Sequence, residues 1–156
     1  MKDQKHLGCL GLALGVLITA APAWAALGGD TASIQADRSE LACPLYRERP
    51  AGPFTVHEMA SAATTVREYS AGGRVFAVAW AGRAAPDLRP LLGPYFDDFQ
   101  AMLRAAQTTA RRRRVPYRLL KGKEVSIEFY GRFRAIGGRA YVEGLLPNGV
   151  SLDAVR

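Results

Sequence analysis

The nine residues RVFAVAWAG (Arg74–Gly82) constrain the fold more than any other stretch of this chain. Side chains alternate across a strand, so Phe76, Val78 and Trp80 share one face and Val75, Ala77 and Ala79 the other. Apolar residues on both faces require cover on both sides, and the contrast of large with small predicts a central strand with a helix close against the small face. The preceding AGG (Ala71–Gly73) supplies residues that tolerate positive φ, so the chain enters this strand from a tight turn. FTVHEMA (Phe54–Ala60) and TTVREYS (Thr64–Ser70) are rich in β-formers and separated by a short SAA, which predicts a hairpin.

Downstream, EVSIEFY alternates Val125, Ile127 and Phe129 against Glu124, Ser126 and Glu128. Gly131 provides a turn, and RFRAIGGRAYV returns as a strand with a bulge expected at Gly137 and Gly138. A main helix is predicted over PYFDDFQAMLRAAQ, with Pro94 at its first position. Phe96, Phe99, Leu103 and Ala106, with Met102 alongside, form its apolar stripe, and Asp97 and Asp98 sit in its first turn. Thr31–Leu41 reads as a short helix capped by Thr31 or Ser33. ACPLYRERPAGP reads as a loop because of Pro44, Pro50 and Pro53. AAPDLRPLLGP reads as a crossing segment, and a helical turn is expected after Ser151. The sum is an α+β domain over residues 26–156: an antiparallel sheet of about five strands, in two hairpin or meander blocks, with one main helix packed on it.

The first 25 residues are a separate object. Lys2 and Lys5 precede an apolar run from Leu7 to Ala20, and APAWA follows with small residues at Ala23 and Ala25. This is the layout of a signal peptide cut between Ala25 and Ala26, and the run falls short of the ~20 residues that span a bilayer. Cys9 precedes most of the apolar run, so it does not mark a lipoprotein, and no twin arginine points to the folded-protein route. A periplasmic or secreted protein, not an integral membrane protein, is expected.

Removing Lys2, Lys5 and Asp3 with the leader leaves nineteen basic and thirteen acidic residues, a net charge of +6. An exported chain with that charge is drawn to anionic surfaces. Its cations concentrate in RRRRVPYRLLKGK: Arg111, Arg112, Arg113, Arg114, Arg118, Lys121 and Lys123, with Tyr117 among them. In a cytosolic chain such a run meets nucleic acid. Export leaves anionic lipid, lipopolysaccharide or an acidic exported protein as partner, against the plainer reading of a solvated helix end and loop.

Catalytic groups are sparse. After the cut, Cys43 is the only cysteine and His57 the only histidine. No internal disulfide can form, and the default for Cys43 is burial, with a bridge between chains as the alternative. A metal site would need Cys43, His57 and carboxylates without ligand spacing, so no metal is expected. No phosphate-cradling glycine loop and no G-x-S-x-G elbow occurs, and no cofactor is expected. Asp97 and Asp98 diverge on a helix. Glu124 and Glu128 stand ~13 Å apart along a strand, beyond the carboxylate spacing of either glycosidase class. Glu58 and Glu68 are cross-strand neighbours on what reads as a solvated sheet face. A non-enzymatic exported domain with an envelope binding or accessory role is the expected function. The alternative is a small envelope hydrolase or thiol-dependent enzyme using His57 with Cys43 or Glu58.

Taken in order, ALGGD, FTVHE, VREYSAGGRVFAVAWAG, PDLRPLLG, GGRAYV and LLPNGV resemble a family of small exported bacterial proteins known as domain of unknown function 2844. The resemblance spans the mature chain and implies a proteobacterial envelope or secreted protein. It assigns no catalytic residue, cofactor or ligand to any position.

Overall fold

A computed structural model of the chain describes residues 27–109, 117–132 and 135–156. A 3₁₀ turn at Thr31–Ser33 leads into α1 (Ile34–Glu40). Four strands follow, β1 (Leu45–Ala51), β2 (Phe54–Ala60), β3 (Thr64–Ala71) and β4 (Arg74–Gly82). Then come α2 (Leu88–Leu92), α3 (Phe96–Thr109), β5 (Tyr117–Lys121), β6 (Val125–Arg132) and β7 (Ala135–Val142). All seven strands form one antiparallel sheet in the order β1-β2-β3-β4-β7-β6-β5.

The α+β class and the main helix agree with the sequence reading, but the sheet has seven strands where about five were expected. The two additional strands are its edges. β1 lies in the proline-rich stretch read as a loop; it pairs along its length with β2, and its side chains are mostly exposed. Pro50 is tolerated because an edge strand has one side free of the ladder. β5 lies in the basic stretch and pairs with β6. The N-terminal helix is capped by Asp30, not Thr31 or Ser33: its carboxylate accepts the Ala32 N–H at 2.8 Å.

RVFAVAWAG is a central strand, between β3 and β7. Its faces differ from the simple alternation, because the β3–β4 register slips by one residue at Tyr69 and Ser70. The slip leaves Phe76 unpaired, so Val75 joins Val78 and Trp80 on one face while Phe76 joins Ala77 and Ala79 on the other. The helices cover the Val78–Trp80 face, not the alanine face. There Leu91 and Leu92 of α2 and Phe99 of α3 meet Met59, Val66, Val78, Trp80 and Ile127. Phe129 bridges Trp80 and Phe99, with ring centroids 5.7 and 5.9 Å away. Each fully buried side chain of this cluster, such as Met59 or Ile127, contributes about 1.5–3 kcal/mol. The β6–β7 and β4–β7 registers run unbroken through Gly137 and Gly138, so the expected bulge there is absent. These glycines serve close approach instead: a Cβ on Gly138 would strike the Trp80 ring, and one on Gly137 the Tyr130 ring.

The second face is closed by the chain after β7. Leu145, Leu146, Val150, Leu152 and Val155 cover Val56, Tyr69, Phe76 and Tyr141. Arg139 donates to the carbonyls of Leu152 and Val155, and the Tyr69 hydroxyl donates to the Arg156 backbone oxygen at 2.7 Å. A 3₁₀ turn at Leu152–Ala154 fulfils the expectation of a helical turn after Ser151.

Candidate functional site

Two places collect chemistry-bearing side chains, and the first lies under α1. Strand register puts Tyr46 and Glu48 of β1, His57 of β2, and Glu68 and Ser70 of β3 on the helix-covered face. His57 Nε2 lies 2.8 Å from Ser70 Oγ, and Nδ1 lies 2.9 Å from the Tyr46 hydroxyl. That hydroxyl also donates to Glu48 Oε2 at 3.3 Å. A carboxylate only accepts, and this sets the direction of the chain. Tyr46 gives its proton to Glu48, so it accepts from His57 Nδ1–H, and Nε2 is left to accept from the Ser70 hydroxyl. Burial lowers the His57 pKa and the Glu48 charge partly offsets it, so the imidazole is neutral near pH 7. A serine on a neutral imidazole is half of a nucleophilic site. The other half is access together with donors for an oxyanion. His57 and Ser70 are both buried and only border a shallow cleft of about 330 Å³. The network fastens β1, β2 and β3 to one another.

Beside it lie two carboxyls that the sequence reading missed or misplaced. Asp37 of α1 is 2% exposed and Glu68 is 0% exposed. Glu68 points under the helix, opposite His57, and not onto a solvated face; its supposed neighbour Glu58 points the other way. Burial raises the Glu68 pKa well above 4.5, and the nearby Asp37 charge pushes the same way. Neither Glu68 carboxyl oxygen has a hydrogen-bond partner among the described residues, so burial beside a second carboxyl favours the protonated, neutral form of Glu68.

The groups of the enzymatic alternative are held apart in their contacts. The Cys43 thiol is buried against the Leu41 carbonyl at 3.7 Å, and burial raises its pKa, which keeps it a thiol and unreactive. Glu58 pairs with Arg67 at 2.6 Å on the face opposite His57. No contact found among the described residues joins His57 to Cys43 or to Glu58. Among the described residues, no group of three or more His, Cys, Asp or Glu side chains is placed to hold a metal ion.

The second place is a cavity of about 530 Å³ at the β5–β6 turn. Lys121, Lys123 and Arg74 line it, with Tyr95, Glu124 and Glu143. Glu124 lies in the turn before β6, outside the strand that the alternation assigned it to. The ion pairs found among the described residues are His57–Glu48, Arg67–Glu58 and Arg139–Glu128, so the three cations around the cavity enter none. Of the expected basic residues, Lys121 and Lys123 come together here. Arg118 points to the opposite face of β5, as strand alternation requires. Arg111, Arg112, Arg113 and Arg114 lie outside the described residues. Arg74 was missed because it stands at the start of β4, far from the others in sequence, and nothing local marks it.

Among the described residues no helix is long and apolar enough to cross a membrane. No curated protein and no solved structure matches the chain. Residues 23–155 match the model of a family described as protein of unknown function, DUF2844, and the chain belongs to that family.

Proposed function

We propose that the chain is exported, loses residues 1–25, and serves in the periplasm or outside the cell as a non-enzymatic binding or accessory domain for an anionic envelope component. The observation that carries this reading is the convergence of Arg74, Lys121 and Lys123 on one cavity, with no ion-pair partner among the described residues. Cations around a concavity that enter no ion pair among the described residues focus a positive field, and here three of them outnumber the two carboxylates, Glu124 and Glu143, in the lining. Arg111, Arg112, Arg113, Arg114 and Arg118 extend the same charge along the chain. The groups with reactive chemistry, His57, Ser70 and Cys43, are committed to buried contacts.

The test uses polyphosphate, a soluble chain of phosphates with no bilayer. Protein purified from cells expressing the full chain is expected to bind it at about 0.1 M salt and release it towards about 1 M, where the screening length falls from about 10 to about 3 Å. An Arg74→Gln/Lys121→Gln/Lys123→Gln variant is expected to bind several-fold more weakly, and Arg111–Arg114 changed to Gln to weaken it further. Binding that ignores both salt and these substitutions, or no binding at low salt, removes the reading. Intact mass of the recovered protein is expected to show an N-terminus at Ala26; retention of Met1 removes export by this leader.

A further inference from the structure

The large apolar side chains found exposed among the described residues are Leu45, Tyr117, Leu119 and Tyr130. Leu45 stands apart on β1, at the far edge of the sheet. The other three are neighbours. Tyr117 and Leu119 share one face of β5, and Tyr130 of β6 is the register partner of Tyr117. They are 51%, 38% and 38% exposed. Lys121 continues the row, so this face reads aromatic, aliphatic, cation over about 13 Å of strand.

Nothing described in the fold covers this corner. The helices lie on the opposite face, against Leu120 and Ile127. The segment after β7 closes the sheet over Val56, Tyr69, Phe76 and Tyr141 and stops short of it. Glu128, the acid on this face, is buried and held by Arg139 at 2.9 Å, so it does not offset the cations nearby. At the turn end the row runs into the cavity lined by Lys121 and Lys123.

We propose that this face seats the protein on an anionic lipid surface, with Tyr117, Leu119 and Tyr130 entering the headgroup layer and Lys121 and Lys123 meeting lipid phosphates. The proposal rests on the anion-binding reading above and adds the bilayer as the occupant. Tyrosine rings favour the boundary between hydrocarbon and water because one end is apolar and the other polar. Basic residues beside them gain from the negative surface potential of anionic headgroups. Charge selects this occupant over a second copy: a twofold pairing about Leu119 would set Lys121 against Tyr117 of the other copy and give the lysines no acid, whereas anionic headgroups supply phosphates to both lysines.

The test sediments the full-chain product, its N-terminus fixed by intact mass, with phosphatidylglycerol–phosphatidylcholine vesicles and with pure phosphatidylcholine vesicles. The wild type is expected to pellet with the anionic vesicles and far less with the neutral ones. Tyr117→Ser/Leu119→Ser/Tyr130→Ser is expected to keep polyphosphate binding and lose about tenfold or more in vesicle affinity. Lys121→Gln/Lys123→Gln is expected to weaken both. Leu119→Trp, which does not depend on the triple variant folding, is expected to shift its emission to the blue on anionic vesicles. A triple variant that pellets like wild type, or an unshifted indole, overturns the membrane face and leaves the anion reading standing. Loss of the anion reading would appear instead as absent polyphosphate binding by the wild type. Dimerisation abolished by the triple variant, without vesicle binding, assigns the face to a second copy and overturns the proposal.

Discussion

Glu68 is a carboxyl group sealed from water beside a second buried carboxyl, Asp37. Such a site is stable only while Glu68 keeps its proton, so α1 rests on β3 over a neutral carboxyl. The sign of the pH effect follows. Glu68 has a folded pKa raised well above its ordinary 4.5, so its contribution is complete below that value and is lost as pH rises through the folded pKa. His57, with a lowered pKa, acts oppositely: its contribution is present above about 6.5 and is lost as pH falls below it. The Glu68→Gln variant separates them, because glutamine is neutral at every pH and leaves His57 in place. The stability difference, wild type minus Glu68→Gln, is expected to decline from about pH 5 upward by as much as about 1.4 kcal/mol per pH unit, until the folded pKa is passed. Urea unfolding of both proteins across the range measures it. Parallel pH profiles would show that Glu68 does not keep its proton in the fold.

At the scale of elements, the strands legible in the sequence are those buried on both faces or flanked by clear turns. RVFAVAWAG and the Ser61–Ala63 connection are readable because burial and turn chemistry leave marks on composition. The edge strands leave other marks. LYRERPA carries charges and a proline that protect an open edge from pairing with other chains, and the same residues make it resemble a loop. YRLLK follows an arginine run, and its outward Tyr117 and Leu119 become a patch only once Tyr130 is set opposite by the β5–β6 register. Lys121 and Lys123 could be picked out as cations; Arg74 could not, since only the sheet order brings β4 near the β5–β6 turn. Glu68 was unreadable for a similar reason, because whether a polar strand position is buried depends on where α1 lands. The slip opposite Tyr69 inverts part of β4 and no alternation pattern announces it. Gly138 tests how tightly this core is built. Its absent Cβ makes room for the Trp80 ring, and a methyl there would also come within 2.6 Å of the Glu128 carbonyl oxygen. Gly138→Ala is expected to destabilise by about 1–3 kcal/mol or more. Gly144→Ala, with nothing within 4 Å of the new methyl, should change stability by less than about 0.5 kcal/mol. Comparable losses in the two variants would mean that Trp80 relaxes freely.

For the molecule as a whole, the question is what holds the terminal segment against the sheet, since it closes a second core that the helices never reach. Apolar contacts of Leu146, Val150, Leu152 and Val155 supply the attraction, and two arginines on that face supply the latches. Arg67 and Arg139 differ in surroundings. Arg67 and Glu58 are each about one third exposed, at 32% and 32%, so water already solvates both and the pair contributes about 1 kcal/mol or less. Arg139 holds Glu128 with two guanidinium nitrogens, at 3.0 and 3.1 Å, while donating to two carbonyls of the terminal segment. Removing it strands a buried carboxylate and two backbone acceptors together. Arg139→Ala is therefore expected to cost about 3 kcal/mol, and Arg67→Ala about 1 kcal/mol or less. Arg139→Lys keeps the charge but not the planar fork, so it should fall between them. Urea midpoints rank the three variants. If Arg67→Ala proves as damaging as Arg139→Ala, the terminal segment is held at its end by Tyr69 and Arg67, and the sheet's second core does not depend on the Arg139 bridge.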